Sequence, residues 1–125
     1  MKQITVTLKD QPGSLANVCD LLGKNGVNIV TLYGGNGGQE SFVHLVTEDD
    51  RTAEHVLQKA GFKTSSCDII TTKMLDRPGE LAKATYRLAH AGVNIESIYL
   101  LTLDRGEVTL ALCVNDEKKA QGALS

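Results

Sequence analysis

A stretch of seven residues occurs twice in this chain, and the two copies are separated by a fixed distance. Asp-Gln-Pro-Gly-Ser-Leu-Ala occupies residues 10–16, and Asp-Arg-Pro-Gly-Glu-Leu-Ala occupies residues 76–82. A second motif, Gly-Val-Asn-Ile, lies at residues 26–29 and returns at 92–95, so both motifs recur 66 positions apart. Two motifs that share one offset indicate an internal repeat. The chain is therefore predicted to use one supersecondary unit twice.

The length of the chain limits the size of each repeated unit. The 125 residues leave about 60 for each copy, and a unit that small buries only about 60% of the surface of its unfolded chain. We therefore expect the halves to pack on each other or on another chain. The repeat predicts two domains, at residues 1–68 and 69–125.

Composition and charge exclude several classes of function. The chain is 42% hydrophobic and 22% charged, as in ordinary globular proteins, and its net charge is −2 with no basic cluster. A nucleic-acid-binding protein would carry a positive surface, so we expect no nucleic-acid partner. No apolar run reaches the roughly 18 residues of a membrane-spanning helix, and the N-terminus carries no apolar signal core. We therefore expect a cytoplasmic protein that does not contact membranes.

The first copy alternates between strand-like and helix-like patterns. Residues 3–9 alternate apolar and polar side chains like a half-buried strand, and an apolar stripe predicts a helix over about 13–24, with Pro12 at its first position. The remaining predicted elements are strands at 27–33 and 41–47, a helix at about 51–60 and a weak strand from 62 to 67. This order is the ferredoxin-like plan, in which both helices cover one face of a four-stranded antiparallel sheet.

The glycine-rich segment at residues 34–38 lies between two predicted strands. Phosphate-binding glycine loops lead from a strand into a helix instead, so a hairpin connection is the better interpretation. In the strand that follows, Phe42, His44 and Val46 alternate away from the helices. That face is too apolar to be left bare, and it is a candidate packing surface.

The second copy follows the same plan but the sequence ends before the plan is complete. Ile70, Thr72 and Met74 repeat the alternation of the first strand, and a second helix is predicted to begin at Asp116. No residues follow Ser125 to form a fourth strand, so the second unit is predicted to lack its last strand. Three explanations remain open: the natural chain continues, the segment at 62–75 fills the edge, or a partner fills it.

Catalytic and metal-binding patterns are missing from the sequence. The cysteines lie more than 45 residues apart, without the clustered spacing of metal ligands, and are expected to be free thiols: Cys19, Cys67 and Cys113. The histidines are not at equivalent positions of the repeat, and Ser14 has no evident base partner. We therefore predict that the chain is not an enzyme and has no catalytic residues, metal site or cofactor.

Taken together, the two motifs resemble the signature of ACT domains, which are small ligand-binding modules of amino-acid biosynthetic enzymes and their regulatory subunits. The resemblance covers essentially the whole chain as two tandem copies. It implies an α+β fold of two ferredoxin-like units and a small-molecule ligand, an amino acid, bound where ACT units meet. It also implies a homodimer or higher homo-oligomer, with a regulated enzyme as a further partner.

The resemblance also implies which residues contact the ligand. Asp10 and Asp76 begin the two loops, where some relatives have Asn, and Asn28 and Asn94 match an asparagine that often contacts the effector. The predicted ligand-binding residues are Asp10, Gln11, Pro12, Gly13, Ser14, Leu15, Asn28, Ile29, Asp76, Arg77, Pro78, Gly79, Glu80, Leu81, Asn94 and Ile95.

Physical reasoning from the residues points to the same ligand chemistry. Free N–H groups at the start of a helix favour a carboxylate, and Asp10 or Asp76 would suit an ammonium group. Asn28 or Asn94 offers both a donor and an acceptor, and an α-amino acid carries this pair of charges. The alternative is structural, with the aspartates capping their helices and the asparagines satisfying tight turns.

The sequence thus predicts a small regulatory protein that binds an amino acid or a similar metabolite and signals to amino-acid metabolism. Arg77 and Glu80 stand where the first loop has Gln11 and Ser14, so the two sites should differ in specificity. The alternative function is a ligand-independent assembly module that docks on a biosynthetic enzyme or regulator.

Overall fold

Residues 1–38 and 40–125 are described in the computed structural model of the chain. Over these residues the chain divides into two units, Met1–Asp68 and Ile69–Ser125. Each unit combines helices with an antiparallel sheet. The structure is therefore α+β, as predicted.

The first unit has the ferredoxin-like order of strands and helices. Its elements are β1 (Lys2–Lys9), α1 (Ser14–Lys24), β2 (Ile29–Asn36), β3 (Glu40–Thr47), α2 (Asp50–Lys59) and β4 (Lys63–Asp68). Neighbouring strands are antiparallel, in the spatial order β2-β3-β1-β4. Over the described residues, these strands form the four-stranded sheet that the sequence predicts.

Alternating side chains of β1 and β3 form one half of the first core. Ile4 lies opposite Leu45 and Val6 opposite Val43, and all four side chains are buried. The helices supply the other half of this core from their apolar stripes: Val18, Leu22, Ala53 and Leu57. Both helices therefore cover the same face of the sheet, which is the predicted arrangement.

The two helices of the first unit begin in different ways. Asp49 precedes α2, and its carboxylate accepts hydrogen bonds from the backbone N–H and the hydroxyl of Thr52, at 3.1 and 2.6 Å. Gly13 precedes α1 with a φ of 91°, and no side chain of the described residues caps that helix. Since the chain turns at Gly13, Pro12 lies before the helix, and its predicted place at the first helical position is wrong.

The second unit repeats the same order as far as its second helix. Its elements are β5 (Ile70–Leu75), α3 (Glu80–His90), β6 (Ile95–Asp104), β7 (Glu107–Val114) and α4 (Glu117–Leu124). The strands are antiparallel in the order β5-β7-β6. The buried core of this unit comprises Ile70, Leu88, Val93, Leu112, Val114 and Ala120. Within residues 1–38 and 40–125 the structure describes three strands in this unit, and α4 is the last element.

The face of the first sheet opposite the helices carries an aromatic cluster. The ring centroids of Tyr33, Phe42 and His44 lie 5.1 to 6.3 Å apart, and the Tyr33 and His44 rings are stacked. His44 Nδ1 lies 2.8 Å from Thr5 Oγ1 and 3.2 Å from Gln3 Nε2. Partial burial lowers the pKa of His44, because the charged imidazolium loses hydration there.

Candidate ligand-binding site

The turn between β1 and α1 leads the chain from the sheet into the first helix. The Gln11 N–H donates to the Lys9 carbonyl at 2.9 Å, and the Ser14 N–H donates to the Gln11 carbonyl at 3.3 Å. In the described part of the chain, no side chain accepts a hydrogen bond at the cap of α1. The start of α1 therefore offers backbone N–H groups to whatever lies beyond the helix.

A cavity of about 400 Å³ lies beside this turn. Its walls come from the turn, the first residues of α1 and the two strands β2 and β3 near their hairpin. The polar lining residues are Lys9, Asp10, Gln11, Ser14, Asn36 and Ser41, and the larger apolar ones are Leu8, Leu15, Leu32, Phe42 and Val43. A cavity of this size with an apolar wall and a few polar groups is typical of small-molecule sites.

The Asp10 carboxylate is hydrogen-bonded to a side chain of the hairpin between β2 and β3, on one side of this cavity. The side-chain amide of Asn36 donates a hydrogen bond to Asp10 Oδ2, and Asn36 Oδ1 accepts one from the Gly38 N–H at 2.9 Å. A side chain at the end of β2 therefore orients the Asp10 carboxylate. The alternative role for Asp10, as the cap of α1, does not fit, because the cap position is held by Gly13.

The turn between β5 and α3 repeats the backbone of the first turn. Gly79 precedes α3 with a φ of 87°, and the Glu80 N–H donates to the Arg77 carbonyl at 3.3 Å. The Asp76 N–H donates to the Gly106 carbonyl at 2.8 Å. Over the residues that the structure describes, α3 also has no side-chain cap, so a capping role does not fit Asp76 either.

An ion pair within the chain occupies the start of α3. Arg77 Nε lies 2.6 Å from Glu80 Oε1, and Lys83 Nζ lies 3.4 Å from the same oxygen. The hydrogen bond from Arg77 lowers the pKa of the Glu80 carboxyl group, so this group is held in its charged form. The cavity beside this helix start has a volume of about 130 Å³. A carboxylate of the chain itself, paired with two cationic side chains, therefore lies in the first turn of α3.

Asn28 lies at the other end of the first unit. β1 carries the chain up to the turn, α1 brings it back, and Asn28 precedes β2 at the opposite end of the sheet. An eight-residue strand is about 25 Å long, so Asn28 does not reach the cavity beside Asp10 in its own unit. A pocket made by the turn and the asparagine of one unit, which physical reasoning suggested, is therefore not formed.

Asn94 has the equivalent position in the second unit. Its N–H donates to Asn115 Oδ1 at 2.9 Å, and its carbonyl accepts from the Asn115 N–H at 3.2 Å. The residues after the two asparagines, Ile29 and Ile95, begin β2 and β6 and lie opposite Thr47 and Val114. The backbones of these Asn-Ile pairs are thus tied to strand ends, while the side chains of Asn28 and Asn94 are exposed.

Sequence reasoning missed the part of the cavity wall that β2 and β3 supply. Asn36 and Ser41 line the cavity together with Gly34 and Gly35, which the sequence indicated only as a connection. A Cβ atom on Gly35 would lie 3.2 Å from the Phe42 ring, so a side chain there would crowd the ring. The signal that could have found these residues was the strand order, because the ferredoxin-like plan places this hairpin and the turn after β1 at the same end of the sheet.

Potential metal ligands do not cluster in the described residues, where no group of three His, Cys, Asp or Glu side chains could hold a metal ion. The same part of the chain contains no helix that is long and apolar enough to span a membrane.

One protein-family model matches the first unit. The family model of the ACT domain matches residues 2–60. This range contains the turn after β1, the hairpin between β2 and β3 and both helices of the unit. No curated protein matches the sequence.

Solved structures of the same fold cover nearly the whole chain. A protein from Bacteroides thetaiotaomicron has a TM-score of 0.87 at 23% identity, over 98% of this chain and 85% of that one. The ligand-free regulatory subunit of aspartate kinase from Thermus thermophilus has a TM-score of 0.74 at 22% identity, over 98% and 87%. Aspartate kinase from Synechocystis has a TM-score of 0.67 at 21% identity, over 98% of this chain and 23% of its own. At these identities the likeness shows a shared fold.

Proposed function

We propose that this chain, whose first unit matches the family model of the ACT domain over residues 2–60, is an amino-acid-responsive regulatory protein of that family. Its effector binds in the cavity beside the turn between β1 and α1. The chain acts as a homodimer in the cytoplasm, performs no catalytic step itself, and passes the effector signal to an enzyme of amino-acid metabolism.

The uncapped start of α1 beside an oriented carboxylate is the observation that carries this proposal. The helix N–H groups favour a ligand carboxylate, and Asp10, held by Asn36, offers a negative charge to an ammonium group. Both groups lie at the same cavity of about 400 Å³. An α-amino acid presents this pair of opposite charges, and Leu15 and Leu32 provide an apolar surface for its side chain.

The first unit is the proposed binding unit, and the second is not. At the start of α3 the Glu80 carboxylate is already paired with Arg77 and Lys83. A ligand that bound at this turn would have to compete with these contacts within the chain. We therefore expect one effector for each chain.

A second copy of the chain is proposed to complete the site. Leu15 on α1 and Leu32 on the edge strand β2 are 41% and 44% exposed, and an edge strand with apolar side chains is a surface that another chain can cover. When two β2 strands pair in antiparallel fashion, the start of one lies beside the end of the other. Asn28 of the second copy would then lie beside the hairpin that lines the cavity.

A thermal-shift screen of the full chain against the twenty amino acids tests the proposal. An effector at about 100 times its Kd stabilises the folded state by about 2.7 kcal/mol, which raises the Tm by several degrees. Asp10→Ala is expected to abolish the shift, and the matched variant Asp76→Ala is expected to keep it. If none of the twenty amino acids raises the Tm of the wild-type chain, the result counts against an amino-acid effector.

A ligand-independent assembly module is the second candidate. Exposed apolar side chains follow one another along the edge strand β6, at Ile98, Leu100 and Leu103, and such an edge suits docking on another protein. In this case the chain would bind a biosynthetic enzyme or regulator with an affinity that amino acids do not change. Measuring that affinity with and without each amino acid distinguishes the two candidates.

A further inference from the structure

Gly34 belongs to the wall that β2 contributes to the cavity proposed for the effector. Alternate residues of a strand share one face of a sheet, so Leu32, Gly34 and Asn36 lie on the same face. There Gly34 lies opposite Val43, a buried core residue, so this is the face that the helices cover. The wall therefore has a position without a side chain between two residues that carry one.

Neither backbone conformation nor packing requires glycine at position 34. The φ of Gly34 lies outside the left-handed region that favours glycine. A Cβ atom there would lie 3.5 Å from the Phe42 carbonyl oxygen and 4.0 Å from Val43 Cγ2, which are ordinary contact distances. Glycine inside a strand is destabilising, and it often marks a place where a ligand approaches the backbone closely. The space that Gly34 leaves in the cavity is what explains the missing side chain.

The second unit shows that the same fold accepts a large side chain at this position. Leu100 lies opposite Leu110 in β7, as Gly34 lies opposite Val43 in β3. Leu110 and Val43 are equivalent, because each lies six residues before the aspartate that caps the next helix. The Leu100 side chain is exposed, and Leu110 packs against the core of its unit. The open space at Gly34 is therefore a property of the first unit and not a requirement of the fold.

The cavity beyond the turn has apolar walls. Among the described residues that line it, the charged ones are Lys9 and Asp10, which are consecutive at the turn. Lys9 lies opposite Glu40 in β3, and opposite charges on facing strands attract each other. Leu15 and Leu32 line the rest of the cavity on the side of α1 and β2. A charged side chain of a ligand placed there would lose its hydration without gaining an opposite charge, whereas a hydrocarbon side chain would be stabilised.

We propose that the effector is an amino acid with an aliphatic side chain, and that Gly34 is the residue that admits this side chain. The inference rests on the proposed function, in which Asp10 and the start of α1 bind the charged groups of the effector. The side chain of the effector then extends past Leu15 and Leu32 into the space at Gly34. Each buried CH₂ group strengthens binding about fourfold, so affinity should rise from alanine through valine to leucine.

Isothermal titration calorimetry of the full chain with two pairs of amino acids of equal shape tests the class of the side chain. Valine should bind about tenfold more tightly than threonine, and leucine about tenfold or more over asparagine, because the second member of each pair buries a polar group against apolar walls. If none of the twenty amino acids binds, the proposed function fails and this inference fails with it. If a polar or charged amino acid binds most tightly and Asp10→Ala abolishes its binding, the proposed function stands and this inference is overturned.

Substitutions at Gly34 test the role of that residue. Gly34→Ala places a methyl group in the cavity, and it should weaken the binding of leucine about tenfold but that of alanine much less. Gly34→Leu, which copies Leu100 of the second unit, should abolish the binding of leucine. Gly23→Leu, the same change on the exposed surface of α1, is the matched control and should bind leucine as the wild-type chain does.

Urea unfolding separates lost binding from lost folding. The midpoint of Gly34→Ala should be no lower than that of the wild-type chain, because alanine loses less conformational freedom than glycine when a strand forms. An equal loss of affinity for leucine and alanine in Gly34→Ala would show that the residue does not act through the size of the ligand, and would overturn the proposal. Unchanged binding of leucine in Gly34→Leu, or an equal loss in Gly23→Leu, would also overturn it.

Discussion

Arg77 Nε lies 2.6 Å from Glu80 Oε1 at the start of α3. The corresponding positions of the first unit hold Gln11 and Ser14, which line an open cavity beside an uncapped helix. The same backbone turn therefore carries an ion pair of the chain in one unit and neutral polar side chains in the other. Because the two turns differ mainly in these two side chains, exchanging them tests which chemical groups make a turn able to bind.

Replacing Arg77 with Gln and Glu80 with Ser is expected to open the second turn. The double variant removes the carboxylate from the start of α3, so its N–H groups become available to a ligand carboxylate. Isothermal titration calorimetry with the effector from the thermal-shift screen should then report about two sites per chain, in place of one.

The reciprocal exchange should close the first turn. Gln11→Arg together with Ser14→Glu places the same ion pair at the start of α1, and effector binding should be lost while the far-ultraviolet circular dichroism spectrum stays unchanged. If this variant binds the effector as well as the wild-type chain does, the start of α1 is not the anion site.

The hydrogen bond from Asn36 to Asp10 is expected to matter for affinity. Asn36→Ala leaves the carboxylate in place but removes the group that orients it, and a hydrogen bond to a charged group contributes about 1.5 kcal/mol, or about a tenfold change in Kd. The matched control is Asn25→Ala, whose amide donates to the Leu21 carbonyl at 2.8 Å at the other end of α1. An equal loss of affinity in both variants would mean that the effect is not local.

The fold was predictable because its determinants are local and occur twice. The alternation of Ile4, Val6 and Leu8 matches a strand with one buried face, and the helical stripes match helices that cover that face. The three strands of the second sheet were also predictable, since each repeats a strand of the first unit. The exact start of α1 was not, because the left-handed φ of Gly13 moves the helix boundary past Pro12.

The site was less predictable because its residues come from segments that are distant in sequence. The cavity joins the turn at Asp10 to Asn36 and Ser41 of the hairpin, and no local pattern connects them. Asn28 and Asp10 share a motif in sequence, yet a strand length separates them in the unit. The pairing of Arg77 with Glu80 needed side-chain geometry, because charges three residues apart pair only when their rotamers allow it.

Two glycines of the first unit should respond to alanine in opposite directions. Gly13 has a φ of 91°, which strains any side chain, so Gly13→Ala is expected to destabilise the fold by about 1 kcal/mol or more. Gly23 lies inside α1, where a Cβ atom would meet no atom within 4 Å outside the helix backbone, and Gly23→Ala should stabilise the fold by about 0.5–1 kcal/mol. Urea unfolding followed by circular dichroism measures the stability of both variants. A shift of both midpoints in the same direction would contradict this account of the turn.

The stability of the first unit should fall as the pH drops below the ordinary pKa of histidine. Burial lowers the pKa of His44 in the folded chain below its ordinary value of 6.5, so the unfolded chain binds the extra proton first. The contribution of His44 to the free energy of unfolding is therefore complete above pH 6.5. It is lost as the pH falls towards the folded-state pKa. Protonation also prevents Nδ1 from accepting the hydrogen bond that the Thr5 hydroxyl can donate at 2.8 Å.

The measurement is a series of urea-unfolding midpoints between about pH 5 and 8 for three chains. The wild-type chain should lose stability on the acid side of this range, His44→Gln should lose less, and His55→Gln, on the exposed surface of α2, should follow the wild type. Because Gln keeps a polar side chain beside Thr5 and Gln3 but does not titrate in this range, the difference between the first two curves reports the protonation of His44. Parallel curves for wild type and His44→Gln would show that another group controls the acid sensitivity of the fold.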